Sequence, residues 1–176
     1  MLRAYLGAFK SNSLNPKPNW KIVKETPSCA TINSDNGLGI VVAPQAMEIA
    51  VEKAKKTGAG IVTMNNCGHL GMLAYHSMIA SDNDMIGTTM AACSPRMVPT
   101  YSSVRALGTN PISYSAPADK LPDFVFDAAM TSVAGNKIVL ASRLNVPLSP
   151  GWIADKDGNP IICLLYTSPS PRDLAQ

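Results

Sequence analysis

Residues 44–64 read PQAMEIAVEKAKKTGAGIVTM, and they place two kinds of periodicity back to back. Met47, Ala50, Val51 and Ala54 recur at the spacing that lines one face of a helix. Pro44 suits a first helical residue, whose N–H has no partner inside the helix, and Gly58 suits a left-handed C-terminal cap. Lys53, Lys55 and Lys56 cluster toward the end, where positive charge complements the helix dipole. After Gly58-Ala59-Gly60, the short apolar run GIVTM switches to a strand, which is expected to be buried.

The same alternation extends in both directions. A loop-rich start leads to extended segments at 21–26 and 28–33, with a turn at Asp35-Asn36-Gly37. Downstream, MNNCGHLG links the central strand to a helix expected over about 70–80, with Leu70, Leu73, Ser77 and Ala80 on one side. A strand at MIGTTMAA, a long connection, strands at ISYSAP and DFVFDAAM, a helix at SVAGNKIVLASRLN and a turn at Asp157-Gly158 complete the pattern. The expectation is one α/β domain over residues 1–162, with a mixed sheet and flanking helices.

Composition restricts the function classes. The chain has 176 residues, 46% hydrophobic and 15% charged, with a net charge of +3. The basic residues neither form a long run nor interleave with aromatics, so a nucleic-acid footprint is not indicated. No apolar run reaches the roughly 18 residues of a membrane span, and no signal-peptide core opens the chain. A cytoplasmic protein is expected. The four cysteines lack zinc-type or disulfide-framework spacing, and no metal site is assigned. Residues 163–176, CLLYTSPSPRDLAQ, break with the rest and look like the translation of a transposon-type sequencing adapter; they are set aside as a non-native, disordered tail.

Two residues in MNNCGHLG could carry chemistry. His69 precedes a predicted helix, whose positive end favours a neutral imidazole able to accept a proton. The structural alternative is a turn histidine that caps or hydrogen-bonds. Cys67 could be a thiolate nucleophile at the same helix end, as in a cysteine-dependent hydrolase, or a small buried thiol. His76 has no nearby ligand set for a metal and reads as a hydrogen-bonded or solvated helix position. The G-x-G-x-x-G dinucleotide fingerprint is absent after the first strand.

Four ordered motifs point further: residues 34–80, from SDNGLGIVV through NNCGHLG to HSMIA, then LGTNPISYSAP, FDAAMTSVAGNKI and WIADKDGNP. Together they resemble the malate/L-lactate dehydrogenase family, which also includes ureidoglycolate and diketogulonate-type dehydrogenases. The resemblance implies a NAD(P)-binding fold distinct from the Rossmann unit and hydride transfer between NAD or NADP and a small 2-hydroxy or 2-oxo acid. It places His69 on the family histidine that accepts the proton or borders the substrate. It places Asp127, Ala128, Ala129, Thr131, Ser132 and Cys93 on the cofactor side, and Thr109 and Asn110 on the substrate side; turn chemistry is the alternative for the last two. Asn66-Cys67-Gly68 stands where the family usually has a serine before the histidine, Met130 where threonine is common, and Asn136 where glycine is usual. The family's upstream S-H-G stretch and its downstream cofactor lysine have no counterpart here, so a truncated, internal piece of a homodimeric enzyme is expected, inactive by itself.

Overall fold

The computed structural model describes residues 2–99, 101–102, 104–155 and 157–162. The suspected adapter segment at 163–176 lies outside the described residues. The elements run α1 (Leu2–Lys10), β1 (Lys21–Glu25), β2 (Cys29–Gly37), α2 (Gly39–Thr57), β3 (Ile61–Cys67), α3 (Leu73–Ser81), β4 (Gly87–Met90), β5 (Ile112–Ala116), β6 (Phe124–Ala128) and α4 (Gly135–Leu144). The α/β class is as expected, but the strands form two three-stranded sheets instead of one. In β1-β2-β3 the first pair is antiparallel and the second parallel; β4-β5-β6 is antiparallel throughout.

The chain divides into two compact units. One comprises the described residues of Met1–Ala91 and Ile112–Ala128; the other, those of Ala92–Pro111 and Ala129–Gln176. In the first unit α2 connects the parallel strands β2 and β3, the βαβ arrangement that such a pair requires. Alternation along β2 turns Ala30, Ile32 and Ser34 inward, and Ile32 packs with Val42 and Ala46 of α2, bordered by Trp20, Ile49, Val62 and Met64. Small groups set the contact between α3 and the second sheet. Ser77 Oγ lies 2.8 Å from Ser113 Oγ, and Ser115 Oγ donates to the Ser77 carbonyl at 2.6 Å.

Several local expectations change. The start is helical over Leu2–Lys10 instead of loop-rich. Helix α2 begins at Gly39, so Pro44 lies inside it, intermediate in burial. The apolar residues Ile40 to Ala43 continue the helix upstream, and Pro44 removes only one backbone donor. Gly58 forms the left-handed cap at φ 83°, as the spacing predicts. Lys53, however, turns inward from the basic cluster, donating to Glu25 Oε1 and the Thr26 carbonyl, both at 2.8 Å. Asp35 and Asn36 keep the left-handed φ values of a turn, 52° and 53°, yet lie within β2, where the pairing with β3 shifts register between Asn33 and Gly37. Strand β3 is half-exposed instead of buried, because only one of its faces meets α2. Helix α3 starts at Leu73, leaving Leu70 in the preceding loop.

Candidate active site

The turn from β3 into α3 is fixed by three backbone-directed contacts. Gly68 N–H donates to the Gly37 carbonyl at 2.9 Å, and Ile40 N–H, in the first turn of α2, donates to the His69 carbonyl at 3.2 Å. The side chain of His76, buried in α3, places Nε2 2.8 Å from the Leu70 carbonyl, so this nitrogen carries the proton and donates. Gly71 adopts φ 76°, a left-handed conformation costly for residues with a Cβ. Across the turn, a Cβ at Gly39 would stand 2.5 Å from the Gly68 carbonyl oxygen and 3.0 Å from that of His69. The backbone of His69 is therefore held by α2 and α3 together.

The His69 side chain is held separately. Its Nδ1 receives the Gly71 N–H at 3.2 Å and lies 2.6 Å from the Tyr5 hydroxyl of α1. Loss of surrounding water draws the His69 pKa below its ordinary value. The neutral imidazole expected from a helix field is favoured by dehydration instead, since α3 begins four residues later.

Cys67 shows the opposite chemistry to an activated nucleophile. Burial pushes its thiol pKa up, and its Sγ donates to the adjacent Gly68 carbonyl at 3.4 Å. Among the described residues no Cys67–His69 hydrogen bond forms, and Nδ1 already faces Tyr5 and Gly71. No group of three or more His, Cys, Asp or Glu side chains suited to a metal occurs among the described residues.

Asp127, at the end of β6, gives its carboxylate to the first turn of α3: Oδ2 accepts Ala74 N–H at 2.8 Å. The N-cap position, Met72, makes no side-chain cap, so a residue 53 positions away supplies the acceptor. His69 and Asp127 thus lie at the two approaches to one helix start. The sequence gives no direct signal for this, because the acceptor comes from another strand. Tyr5 carries no sequence signal of its own, because it sits on the short helix α1 and meets His69 only through the fold.

The second unit gathers another set. Cys93 N–H donates to Asn110 Oδ1 at 3.0 Å, and Met130 N–H donates to the Thr109 carbonyl at 2.8 Å. Gly108 lies so close to the Cys93 carbonyl that a Cβ has no space. Asn110 itself adopts a left-handed φ of 33°. Thr131 Oγ1 donates to the Val133 carbonyl at 3.0 Å and Ser132 Oγ to the Gly151 carbonyl at 3.2 Å. The Asn110 side chain and the Thr109 carbonyl therefore tie this turn to Cys93 and Met130. Ala128 ends β6 in the first unit, and Ala129 resumes the second.

The side chains gathered here, Cys93, Thr109, Asn110, Thr131 and Ser132, bring no cationic group that would pair with a phosphate.

An α/β chain with these features matches a known class of oxidoreductase. The family model for malate/L-lactate dehydrogenase matches residues 1–162, and the chain belongs to that family. It is 43% identical over 156 residues to L-sulfolactate dehydrogenase of Methanocaldococcus jannaschii, covering 89% of this chain and 45% of the relative. The solved sulfolactate dehydrogenase from the same organism superposes with a TM-score of 0.81 at 41% identity, over 92% of this chain and 47% of that one. Malate dehydrogenase from Entamoeba histolytica gives a TM-score of 0.86 at 29% identity, over 94% and 46% of the respective chains. The chain thus spans about half the length of the relatives it matches. Among the described residues, no helix is long and apolar enough to cross a membrane.

Proposed function

We propose that this chain supplies the proton-handling and nicotinamide-side parts of a NAD(P)-dependent dehydrogenase acting on a small 2-hydroxy acid of the malate or lactate kind. The observation that carries this reading is His69. It is a dehydrated imidazole with a lowered pKa, fixed by Tyr5 and Gly71 at a glycine-lined turn. Such a group is neutral at physiological pH and able to take the substrate's hydroxyl proton in the oxidation direction. The nicotinamide, when bound, supplies the hydride acceptor. Asp127, Ala128, Ala129, Thr131, Ser132 and Cys93 are assigned to the cofactor side, and Thr109 and Asn110 to the substrate side. The partner is a small 2-hydroxy or 2-oxo acid, and assembly as a homodimer is part of the proposal.

The test is a chimera in which residues 1–162 replace the matching stretch of a full-length relative. Malate, lactate and sulfolactate are offered with NAD and with NADP, and reduced cofactor is followed by absorbance. Turnover with at least one acid, falling about 100-fold or more in His69→Gln, is expected for loss of a general base. Wild-type turnover in that variant would remove His69 from the mechanism. The 176-residue chain alone is proposed to give no turnover, and activity matching the chimera would overturn that part.

A further inference from the structure

The hydrogen bonds around His69 specify more than its position. A backbone N–H can only donate, so the Gly71 contact at 3.2 Å requires an unprotonated Nδ1. The Tyr5 hydroxyl, 2.6 Å from the same atom, then donates as well. The neutral ring consequently carries its proton on Nε2. Tyr5 is half-buried on α1, with its ring centroid 6.0 Å from that of His69. Arg3 and Lys10 on α1 and Tyr75 and His76 on α3 are also titratable, alongside Tyr5 from α1 and Cys67 from β3. Burial raises the pKa of Tyr5 and Cys67, so both are uncharged at neutral pH.

We propose that Tyr5 is the positioning residue of His69: with Gly71 it fixes the neutral ring as the Nε2–H tautomer, making Nδ1 the atom that gains the proton. When Nδ1 becomes protonated, the Gly71 N–H cannot receive its hydrogen, whereas the Tyr5 oxygen can reverse its role and accept. Tyr5 therefore serves both protonation states, donating to the neutral ring and accepting from the imidazolium. The charge-assisted bond is the stronger of the two. This assignment rests on the proposed proton role of His69 for its catalytic meaning: with Tyr5 and Gly71 filling the Nδ1 side, a substrate proton reaches the ring through Tyr5, whose hydroxyl gives its own proton to Nδ1 and takes the substrate's. The tautomer itself is measurable without turnover.

The experiment is 15N NMR of the full 176-residue chain labelled at histidine, which has only two such residues, His69 and His76. His69→Gln assigns the signals. The expected result is a pyridine-type Nδ1 in neutral His69 that becomes pyrrole-type on acidification, with Nε2 pyrrole-type throughout. In Tyr5→Phe the His69 midpoint should fall by about half a pH unit or more, because the imidazolium loses its stronger hydrogen bond. Titration at Nε2, averaged tautomers in the wild-type chain, or a midpoint unchanged or raised in Tyr5→Phe would each overturn the proposal. A fixed tautomer combined with wild-type turnover of the His69→Gln chimera would instead sink the catalytic reading and leave the tautomer assignment standing.

Discussion

The Asp127 carboxylate accepts the Ala74 backbone N–H at 2.8 Å, so a strand residue caps a helix whose own N-cap position, Met72, provides no acceptor. Asp127→Ala should lower stability by about 0.5–2 kcal/mol, as loss of a helix cap does. Asp127→Asn keeps an acceptor oxygen and should lose less. Urea unfolding midpoints at constant slope measure both, and equal losses would show that the cap acts through charge alone.

Lys53 and Glu25 form an unequal pair: the lysine side chain is 10% exposed and the glutamate 56%, at 2.8 Å. Removing the lysine returns a mostly exposed carboxylate to water, whereas removing the carboxylate leaves a buried ammonium held by the Thr26 carbonyl. Glu25→Ala should therefore cost more than Lys53→Met, by about 1–3 kcal/mol. Denaturant titration of both variants decides the order.

Gly60 follows the cap of α2, and a Cβ there would collide with the Ala50 carbonyl and stand 3.0 Å from Ala50 Cα. Both neighbours are backbone atoms, so the strain cannot be relieved by a rotamer change. Gly60→Ala should destabilise by about 1–3 kcal/mol, while Gly135→Ala, with open space around it, should not. Thermal unfolding of the two variants makes the comparison.

The lowered pKa of His69 has a signed consequence. Above about pH 6.5, where an unperturbed histidine is neutral, folded and unfolded chains bind the same number of protons at this residue. Below that pH the unfolded chain binds more, so His69 withdraws stability as pH falls toward its folded pKa. His69→Gln should flatten the stability profile in this window. In the chimera, oxidation should decline over the same acidic range as the base becomes protonated.

Thiol reactivity should separate Cys67 from Cys93. Cys93 is exposed, while burial raises the Cys67 pKa and leaves less thiolate. Mass spectrometry after brief maleimide treatment at neutral pH should find Cys93 modified before Cys67. Faster labelling of Cys67 would revive its reading as a nucleophile.

The α2–β3 passage was legible because helical periodicity, Gly58 and the following apolar run agree locally. Helix α1 was not, since Arg3, Gly7 and Lys10 interrupt its short apolar pattern and none of its residues is fully buried. His69 was singled out from its turn, whereas Tyr5, 64 residues away, was invisible until folding placed its hydroxyl on the ring. Likewise Lys53 reads as one more helix-end cation, and only the position of Glu25 on a neighbouring strand turns it inward. Strand spacing alone does not state which strands pair, so the division into two sheets is not legible in the sequence.

The two structural units interleave along the chain, with switches after Ala91, Pro111 and Ala128. A gene can exchange a contiguous module with one crossover at each end, but neither of these units is contiguous. A crossover with a relative anywhere between Ala92 and Ala128 would divide both units at once.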